Sequence, residues 1–302
     1  MGCDKKGSQS LILYVFLCFV YIISLLGNIF IMFVICTDHS LHNPKYIAVF
    51  NLAVADLCGS TALVPKLINT FLFESQYFSY EECLANMFFV FFFITSQSLT
   101  LAVLSYDRYV AICHPLRYHE LVTNTSMSVI IAAVWSLSAL FVLIAVGAVT
   151  RLSFCNSVVV NSYFCDHGPV IRLACNDNAP NRAISLMNPI VILWVPVSFI
   201  TATYVCIAYT LSRIASATER LKAMKTCTSH LVLVGTFYLP VCMTYVIGST
   251  IHPNARIINL SLTMILPPML NPLIYSLKTE EFLESIKKLF RRHKIMTARR
   301  NT

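Results

Sequence analysis

The chain alternates between long apolar runs and short polar segments. Seven runs approach or exceed the ~20 residues that an α-helix needs to cross ~30 Å of hydrocarbon. The predicted spans are residues 11–36, 47–73, 84–110, 127–150, 183–212, 225–251 and 257–277. Residues 279–292 then carry apolar side chains at helical spacing, with glutamates first and basic residues last, which suits a helix lying on the membrane surface. The pattern predicts an all-α membrane protein: a single domain, residues 1–302, with seven transmembrane helices and a short amphipathic C-terminal helix.

The composition supports a membrane location. Of the 302 residues, 57% are hydrophobic and 12% are charged, whereas about a quarter of a soluble domain is charged. Of the 22 lysines and arginines, 15 lie on the same side of the predicted spans as the C-terminus. Basic residues accumulate on the cytoplasmic side, so we expect a multi-pass plasma-membrane protein with an extracellular N-terminus and a cytoplasmic C-terminus. The net charge of +8 then reflects topology and contact with the lipid bilayer, and nucleic-acid binding is not indicated.

Four of the twelve cysteines lie in the predicted outer loops between the spans. Cys83 directly precedes the third span, and Cys155, Cys165 and Cys175 lie in the long outer loop, residues 151–182. Cysteines that face an oxidising compartment commonly form disulfides. We therefore predict two disulfide bonds, and the spacing leaves all three pairings open.

Asp56 is an acidic residue about ten residues into the second span. An ionisable side chain at that depth must face the interior of the bundle and find polar partners or a cation. Asn28 in the first span and Asn271 in the seventh could join it in one buried polar cluster. Asp56 is therefore a candidate sodium ligand, and a purely structural hydrogen-bonding role is the alternative.

The sequence Asp107-Arg108-Tyr109 stands at the inner end of the third span. Arg108 can pair with Asp107 in one state and release it in another, which would make it a latch. The alternative is an arginine that extends its charged end to the membrane surface.

The sequence Asn271-Pro272-Leu273-Ile274-Tyr275 ends the seventh span. Proline removes a backbone donor and weakens a helix, so neighbouring polar groups must satisfy the freed carbonyl. A proline flanked by asparagine and tyrosine is a candidate hinge.

Two other classes of function fit the chain poorly. A transporter would show polar stripes through several spans or paired interrupted segments in two halves, and Asp56 is nearly the only charge at mid-membrane depth. An enzyme would need a nucleophile with a base, or several metal ligands, and His230 has no such companions in its span. We expect neither an enzyme nor a cofactor.

Several motifs together resemble the odorant receptors among the rhodopsin-like (class A) G-protein-coupled receptors. Asn28 after Gly27, the segment around Asp56, and Trp135 are similar to the wider class. The narrower resemblance is carried by four segments: 41–46 (LHNPKY), 105–118 (SYDRYVAICHPLRY), 222–231 (KAMKTCTSHL) and 267–277 (PPMLNPLIYSL).

The resemblance implies a function. The chain would bind a small, neutral, partly hydrophobic odorant from outside and activate a stimulatory (olfactory-type) heterotrimeric G protein, raising cAMP. The alternative is a rhodopsin-like receptor for a non-odorant ligand.

The resemblance also implies site residues. It pairs Cys83 with Cys165 and Cys155 with Cys175. It places Tyr204 and His230 in an activation network that includes Asp107, Arg108, Tyr109, Asn271, Pro272 and Tyr275. It assigns ligand contacts to Phe91, Ile94, Thr95, Asn188, Ile192, Tyr238, Val241, Cys242, Tyr245, Ser261 and Met264, for each of which ordinary helix packing is the alternative.

Two positions depart from the family pattern. Gln97 stands where many odorant receptors carry a glutamate, so a sodium site near Asp56 would have one charge fewer. Pro240 follows Tyr238 and Leu239 where many mammalian members have no proline. It weakens the hydrogen-bond ladder of the sixth helix at a level where that helix could pivot.

Overall fold

A computed structural model describes residues 5–73, 79–155, 160, 164–247, 253–278, 281–289 and 291. These residues form seven long helices and a short C-terminal one. The helices are α1 (Lys5–Thr37), α2 (Pro44–Phe73), α3 (Tyr80–Cys113), α4 (Asn124–Val149), α5 (Ala179–Arg213), α6 (Ala217–Cys242, continued by a π-helical turn, Met243–Ile247), α7 (Pro253–Lys278) and α8 (281–289). Segments of α1 to α6 are long and apolar enough to cross a membrane, and α7 contains a shorter apolar stretch, Leu262–Tyr275. The predicted all-α class with a seven-helix bundle is confirmed. Residues 248–251, 279–280, 290 and 292 of the predicted elements lie outside the described residues.

Capping residues set where α3 and α4 begin. Ser79 caps α3: its hydroxyl accepts from the Glu82 N–H, and the Glu82 carboxylate accepts from the Ser79 N–H. Thr123 and Ser126 make the same reciprocal pair at the start of α4. Such boxes satisfy two backbone donors that have no partner within the helix.

The third helix is the centre of the bundle. It packs against α2, α4, α5 and α6, while α1 packs against α2 and α7. The α1–α7 contact is close because Gly27 has no side chain: a Cβ there would lie 2.8 Å from Cβ of Pro272. The most buried apolar side chains, such as Tyr46, Leu101 and Phe237, lie in one cluster that runs through these interfaces.

Two helices are interrupted beside prolines. A π-helical turn, Ile190–Trp194, follows Pro189 in α5. Another, Met243–Ile247, follows Pro240 in α6. A π turn loosens the regular i→i−4 ladder and exposes backbone carbonyls to other partners. The weakened hydrogen-bond ladder expected near Pro240 thus takes the form of a local change from α-helix to π-helix.

The two ends of the bundle differ, and we name them by their contents. The disulfide end carries the bonds Cys83–Cys165 and Cys155–Cys175 and a short helix, His167–Ile171. The Arg108 end carries the loop after α1, the loop after α3, and α8, whose Phe282 is fully buried.

Candidate functional site

Most of the predicted ligand residues lie inside the bundle. Ile94, Thr95, Asn188, Ile192, Tyr238 and Val241 are buried, and Phe91, Cys242 and Met264 are half-buried. All but Thr95 and Asn188 of these belong to or pack against one apolar cluster. Tyr245 is 39% exposed, and the side chain of Ser261 lies outside the described residues. Two cavities in the described part of the protein lie elsewhere: one beside Tyr46 at the Arg108 end and one between α5 and α6.

A hydrogen-bonded node joins three helices inside this cluster. The Tyr238 hydroxyl of α6 lies 2.7 Å from the Ser98 hydroxyl of α3 and donates to the Ser98 carbonyl at 3.0 Å. The Ser98 hydroxyl donates to the Ile192 carbonyl in the π turn of α5 at 2.7 Å. The π turn makes that carbonyl available, because its own helix ladder is irregular there. A change at Tyr238 therefore reaches α3 and α5 directly.

The disulfide end closes over this cluster. The structure joins Cys83 to Cys165 and Cys155 to Cys175, the pairing that the resemblance implies. The Cys165 N–H also donates to Asn86 of α3 at 3.3 Å, and the Cys175 N–H donates to the Ser153 carbonyl at 2.9 Å. The long loop is thus tied to α3 at Cys165 and closed on itself between Cys155 and Cys175.

His167 anchors the short helix of that loop to α5. Its Nδ1 lies 3.0 Å from the Ser185 hydroxyl. Burial lowers the pKa of His167 below its ordinary value, against a hydrogen bond with the Ala145 backbone that raises it. The ring therefore stays neutral at physiological pH and serves as a hydrogen-bonding strut.

The polar cluster around Asp56 joins three helices at mid-membrane depth. Asn271 donates to Oδ2 of the buried Asp56 at 2.6 Å. Asn28 donates to the Pro268 carbonyl and to the Ser24 carbonyl, each at 2.8 Å. Asn271 therefore ties α7 to α2, and Asn28 ties α1 to α7.

The oxygen atoms of this cluster decide whether a sodium ion could bind at Asp56. Oδ1 of Asp56 and Oδ1 of Asn28 are buried and accept no hydrogen bond from any described residue, so the cluster has oxygen atoms to offer. The nearby Gln97, whose side-chain amide lies near Gly59 of α2, brings no second charge. No group of three histidine, cysteine or acidic side chains comes together in the described part of the chain. One carboxylate with neutral oxygens fits a weakly held monovalent ion or a proton.

The Asp107–Arg108 pair is closed. Nη2 of Arg108 lies 2.7 Å from Oδ2 of Asp107, and the Asp107 side chain is fully buried. Tyr118, from the loop after α3, donates to the other carboxylate oxygen at 2.7 Å. Burial, together with the Asp107 carboxylate, raises the pKa of Tyr118 above its ordinary value, so the phenol remains a donor. The Tyr109 hydroxyl instead meets the His114 ring at 3.1 Å.

A second contact connects α5, α6 and α3 near this end. The Tyr204 hydroxyl lies 2.8 Å from Nδ1 of His230, and the two rings stack with a centroid distance of 5.7 Å. Nε2 of His230 lies 3.1 Å from the Leu101 carbonyl of α3. The Tyr275 hydroxyl of α7 is buried and has no hydrogen-bond partner among the described residues.

The amphipathic helix is fastened to the start of α2. Glu281 forms an ion pair with Lys45 at 2.5 Å and accepts from the Tyr46 hydroxyl at 3.1 Å. Burial would raise the pKa of Glu281, but the bonds from Lys45 and Tyr46 outweigh it and leave that pKa below its ordinary value. In the loop after α1, hydrogen bonds from Ser285 and Ser40 lower the pKa of Asp38 to about 2. The helix α8 is therefore held by charged contacts as well as by Phe282.

Sequence reasoning missed three of these contacts. Ser98, Tyr118 and Glu281 were not assigned roles, although each makes a bond that joins separate elements. Tyr118 carried a usable signal, because it is a phenol in the short loop after α3, nine residues beyond the Arg108 motif. Ser98 carried none, since a serine in an apolar run is ordinary.

The overall arrangement matches known proteins. The crystal structure of squid rhodopsin superposes with a TM-score of 0.75 at 20% identity, covering 94% of this chain and 86% of that chain. The fold is therefore that of a rhodopsin-like seven-helix receptor.

Sequence comparison identifies the family within this class. A family model described as olfactory receptor matches residues 17–293. Olfactory receptor 51E2 of Homo sapiens is 35% identical over 275 residues, which cover 90% of this chain and 86% of that receptor. Olfactory receptor 1F1 of Homo sapiens is 33% identical over 290 residues, or 96% of this chain and 93% of that receptor. The chain belongs to the olfactory receptor family. It is a multi-pass membrane receptor and not an enzyme.

Proposed function

We propose that the protein detects a small, neutral, partly hydrophobic odorant at its disulfide end, which faces outward. Its Arg108 end then activates a stimulatory, olfactory-type G protein and raises cAMP. Family membership supports an odorant ligand and a G-protein partner in general. The excess of basic residues on the side of the C-terminus supports the orientation.

The character of the cluster around Tyr238 supports the ligand class. Its side chains are mainly aliphatic and aromatic, and its polar groups are uncharged: Thr95, Asn188 and Tyr238. A buried carboxylate or ammonium group on the ligand would lack a counter-ion among these residues, and an unpaired buried charge is strongly unfavourable. A neutral molecule with one or two polar atoms has no such penalty.

The observation that carries the proposal is the hydrogen bond between Tyr238 and Ser98. It lies among the proposed ligand contacts and at the junction of α3, α5 and α6. A ligand that displaces or strengthens it changes how α6 sits on α3, and Pro240 with its π turn provides a place to bend.

The other end of α6 supplies the response. Movement of the His230 region away from α3 would break the contacts of His230 with Leu101 and Tyr204. It would also open space beside Arg108, which could then exchange Asp107 for a contact with the G protein. We propose that the closed pair with Tyr118 is the resting state, and that Tyr275 is free to take a new hydrogen bond in the active one.

The test is a screen in cells with a cAMP reporter, using volatile and water-borne neutral odorants beside amines and amino acids. Parallel cells lack the stimulatory-type G-protein α subunits. We expect responses to neutral compounds that vanish in the deficient cells and return when the olfactory-type subunit is supplied. Responses confined to charged compounds would overturn the ligand class, and responses that survive in the deficient cells would overturn the G-protein assignment.

A further inference from the structure

A groove opens on the bilayer-facing side of the bundle between α5 and α6. Its volume is about 350 Å³, and its walls include Ile200, Thr201, Tyr204 and Ala208 of α5 with Leu231 and Val234 of α6. Val205 and Leu231 at its rim are 63% and 45% exposed. We name it the α5–α6 groove.

The groove exists because α5 and α6 barely touch. Each packs closely on another helix, α5 on α3 and α6 on α7, while the two make few contacts with each other. Tyr204 crosses the gap to reach His230 and forms the back wall. The groove therefore lies against the contact that connects α5, α6 and α3.

We propose that the α5–α6 groove is a second binding site, for a small neutral molecule that enters from the bilayer. The ligand would be mostly hydrocarbon and would carry at most one hydroxyl or carbonyl group. None of the residues that line the groove is among the proposed ligand contacts, so this is a different site from the proposed odorant pocket.

The lining sets the chemistry of the ligand. None of the residues that line the groove carries a charge, and Thr201 and Tyr204 alone among them have hydroxyls. The volume of this open groove is at the small end of the range of ligand pockets. The middle of a lipid acyl chain has no polar atom for the Thr201 hydroxyl, whereas a small alcohol or ketone does.

The effect on signalling follows from the state that forms the groove. The groove is present together with the closed Asp107–Arg108 pair and the Tyr204–His230 contact. A ligand shifts a population toward the state that it binds better. Occupancy should therefore oppose activation. The predicted inhibition rests on the function proposed above, whereas the predicted binding to the groove does not.

The experiment uses the full-length receptor in membranes and a diazirine-bearing analogue of 1-octanol. After irradiation, peptide mapping should find label on residues 197–208 and 231–234, and excess 1-octanol should reduce it. Ala208→Phe fills the groove, and Ala133→Phe is the matched control because it places the same exposed ring on α4. We expect groove labelling to fall at least about fivefold in Ala208→Phe and to stay unchanged in Ala133→Phe.

A second readout tests regulation. At ten times its dissociation constant, 1-octanol should raise the agonist EC50 up to about tenfold in the wild type and Ala133→Phe, but not in Ala208→Phe. Label spread evenly over lipid-facing helices and insensitive to 1-octanol would show acyl-chain contact only and overturn the site. Specific label with an unchanged or lowered EC50 would overturn the inhibitory role and leave the site standing. If no odorant activates the receptor, the proposed function fails and the labelling result still decides the site.

Discussion

The two ends of the bundle are organised by different kinds of contact. At the disulfide end, two covalent bonds and an apolar cluster hold α3, α4 and the long loop together. At the Arg108 end, directed contacts between pairs of polar groups are added to the apolar packing: Asp107 with Arg108 and Tyr118, Tyr204 with His230, and Lys45 with Glu281.

This difference suits two tasks. Apolar contact depends on shape and area and is not directional, so an end built that way can be retuned for a new ligand by changing side-chain size. Hydrogen bonds and ion pairs have defined geometry and are either made or broken, so an end built that way can act as a two-state switch. The following experiments test this contrast.

The largest effect is expected at Arg108. Arg108→Ala should reach the membrane and give no agonist-driven cAMP, because the group proposed to meet the G protein is gone. The control is Arg117→Ala, which removes an exposed arginine paired with Glu120 in the next loop. Normal cAMP responses of Arg108→Ala at matched surface expression would contradict the latch.

The disulfides should show a graded effect at the other end. Closing a loop by a disulfide typically stabilises by ~2–4 kcal/mol. The Cys83–Cys165 bond spans 82 residues and the Cys155–Cys175 bond spans 20, which favours the first by about 1 kcal/mol in a loop-entropy model. Surface expression, measured by flow cytometry, should therefore fall further for Cys83→Ser or Cys165→Ser. Cys155→Ser and Cys175→Ser should match each other, and the reverse ranking would argue against this account.

The contact between α1 and α7 lies between the two ends. Gly27→Ala should destabilise the receptor by about 1–3 kcal/mol, because the new methyl group meets Pro272 at 2.8 Å and the packed helices must shift. Gly147→Ala in α4 is the matched control, since nothing lies within 4 Å of its added Cβ. Thermal unfolding of the purified receptor should separate the two, and equal melting temperatures would show that α1 moves freely.

Substitutions of Tyr238 test whether its hydrogen bond to Ser98 is needed for signalling. Tyr238→Ala should cut the maximal response far more than ligand binding, and Tyr238→Phe keeps the ring while removing the hydroxyl. If the bond to Ser98 is the reason, Tyr238→Phe and Ser98→Ala should be non-additive in a double-mutant cycle. Equal losses of binding and efficacy would make Tyr238 a pocket wall and no more.

The smallest change in the agonist response is expected at Tyr118. Tyr118→Phe removes a hydrogen bond to a charged group, which contributes ~1.5–3 kcal/mol, and so should favour release of Asp107 from the closed pair. Basal cAMP should rise about tenfold or more from its low resting level, with little change in agonist potency. Unchanged or lower basal cAMP at equal surface expression would show that Tyr118 does not stabilise the resting state.

The sequence predicted features that arise from composition and from neighbouring residues. Seven apolar runs were enough for the helices, because each must cross the same thickness of hydrocarbon. Arg108 and Asp107 were predicted to pair because they are adjacent at a helix end. The disulfide pairing came from the resemblance to odorant receptors, since spacing allowed three.

Contacts between distant residues were harder to predict. The bond between Ser98 and Tyr238 spans 140 positions, and it depends on how α3 and α6 rotate about their own axes. The Glu281 contacts with Lys45 and Tyr46 depend on where α8 lands after leaving the bundle. Helix rotation is set by packing of many side chains at once, and hydrophobic periodicity alone defines it only coarsely.

The π turn in α5 has a consequence for how such receptors can diverge. Its i→i+5 bonding accommodates an extra residue within an otherwise regular helix. The side chains of Ala179–Pro189 can therefore rotate about the helix axis relative to those of Val195–Arg213. An insertion or deletion on the side of Pro189 can be absorbed at Ile190–Trp194, leaving the orientation of Tyr204 unchanged. Ligand selectivity can then change by length as well as by substitution, while the half of the helix that carries Tyr204 keeps its register with His230.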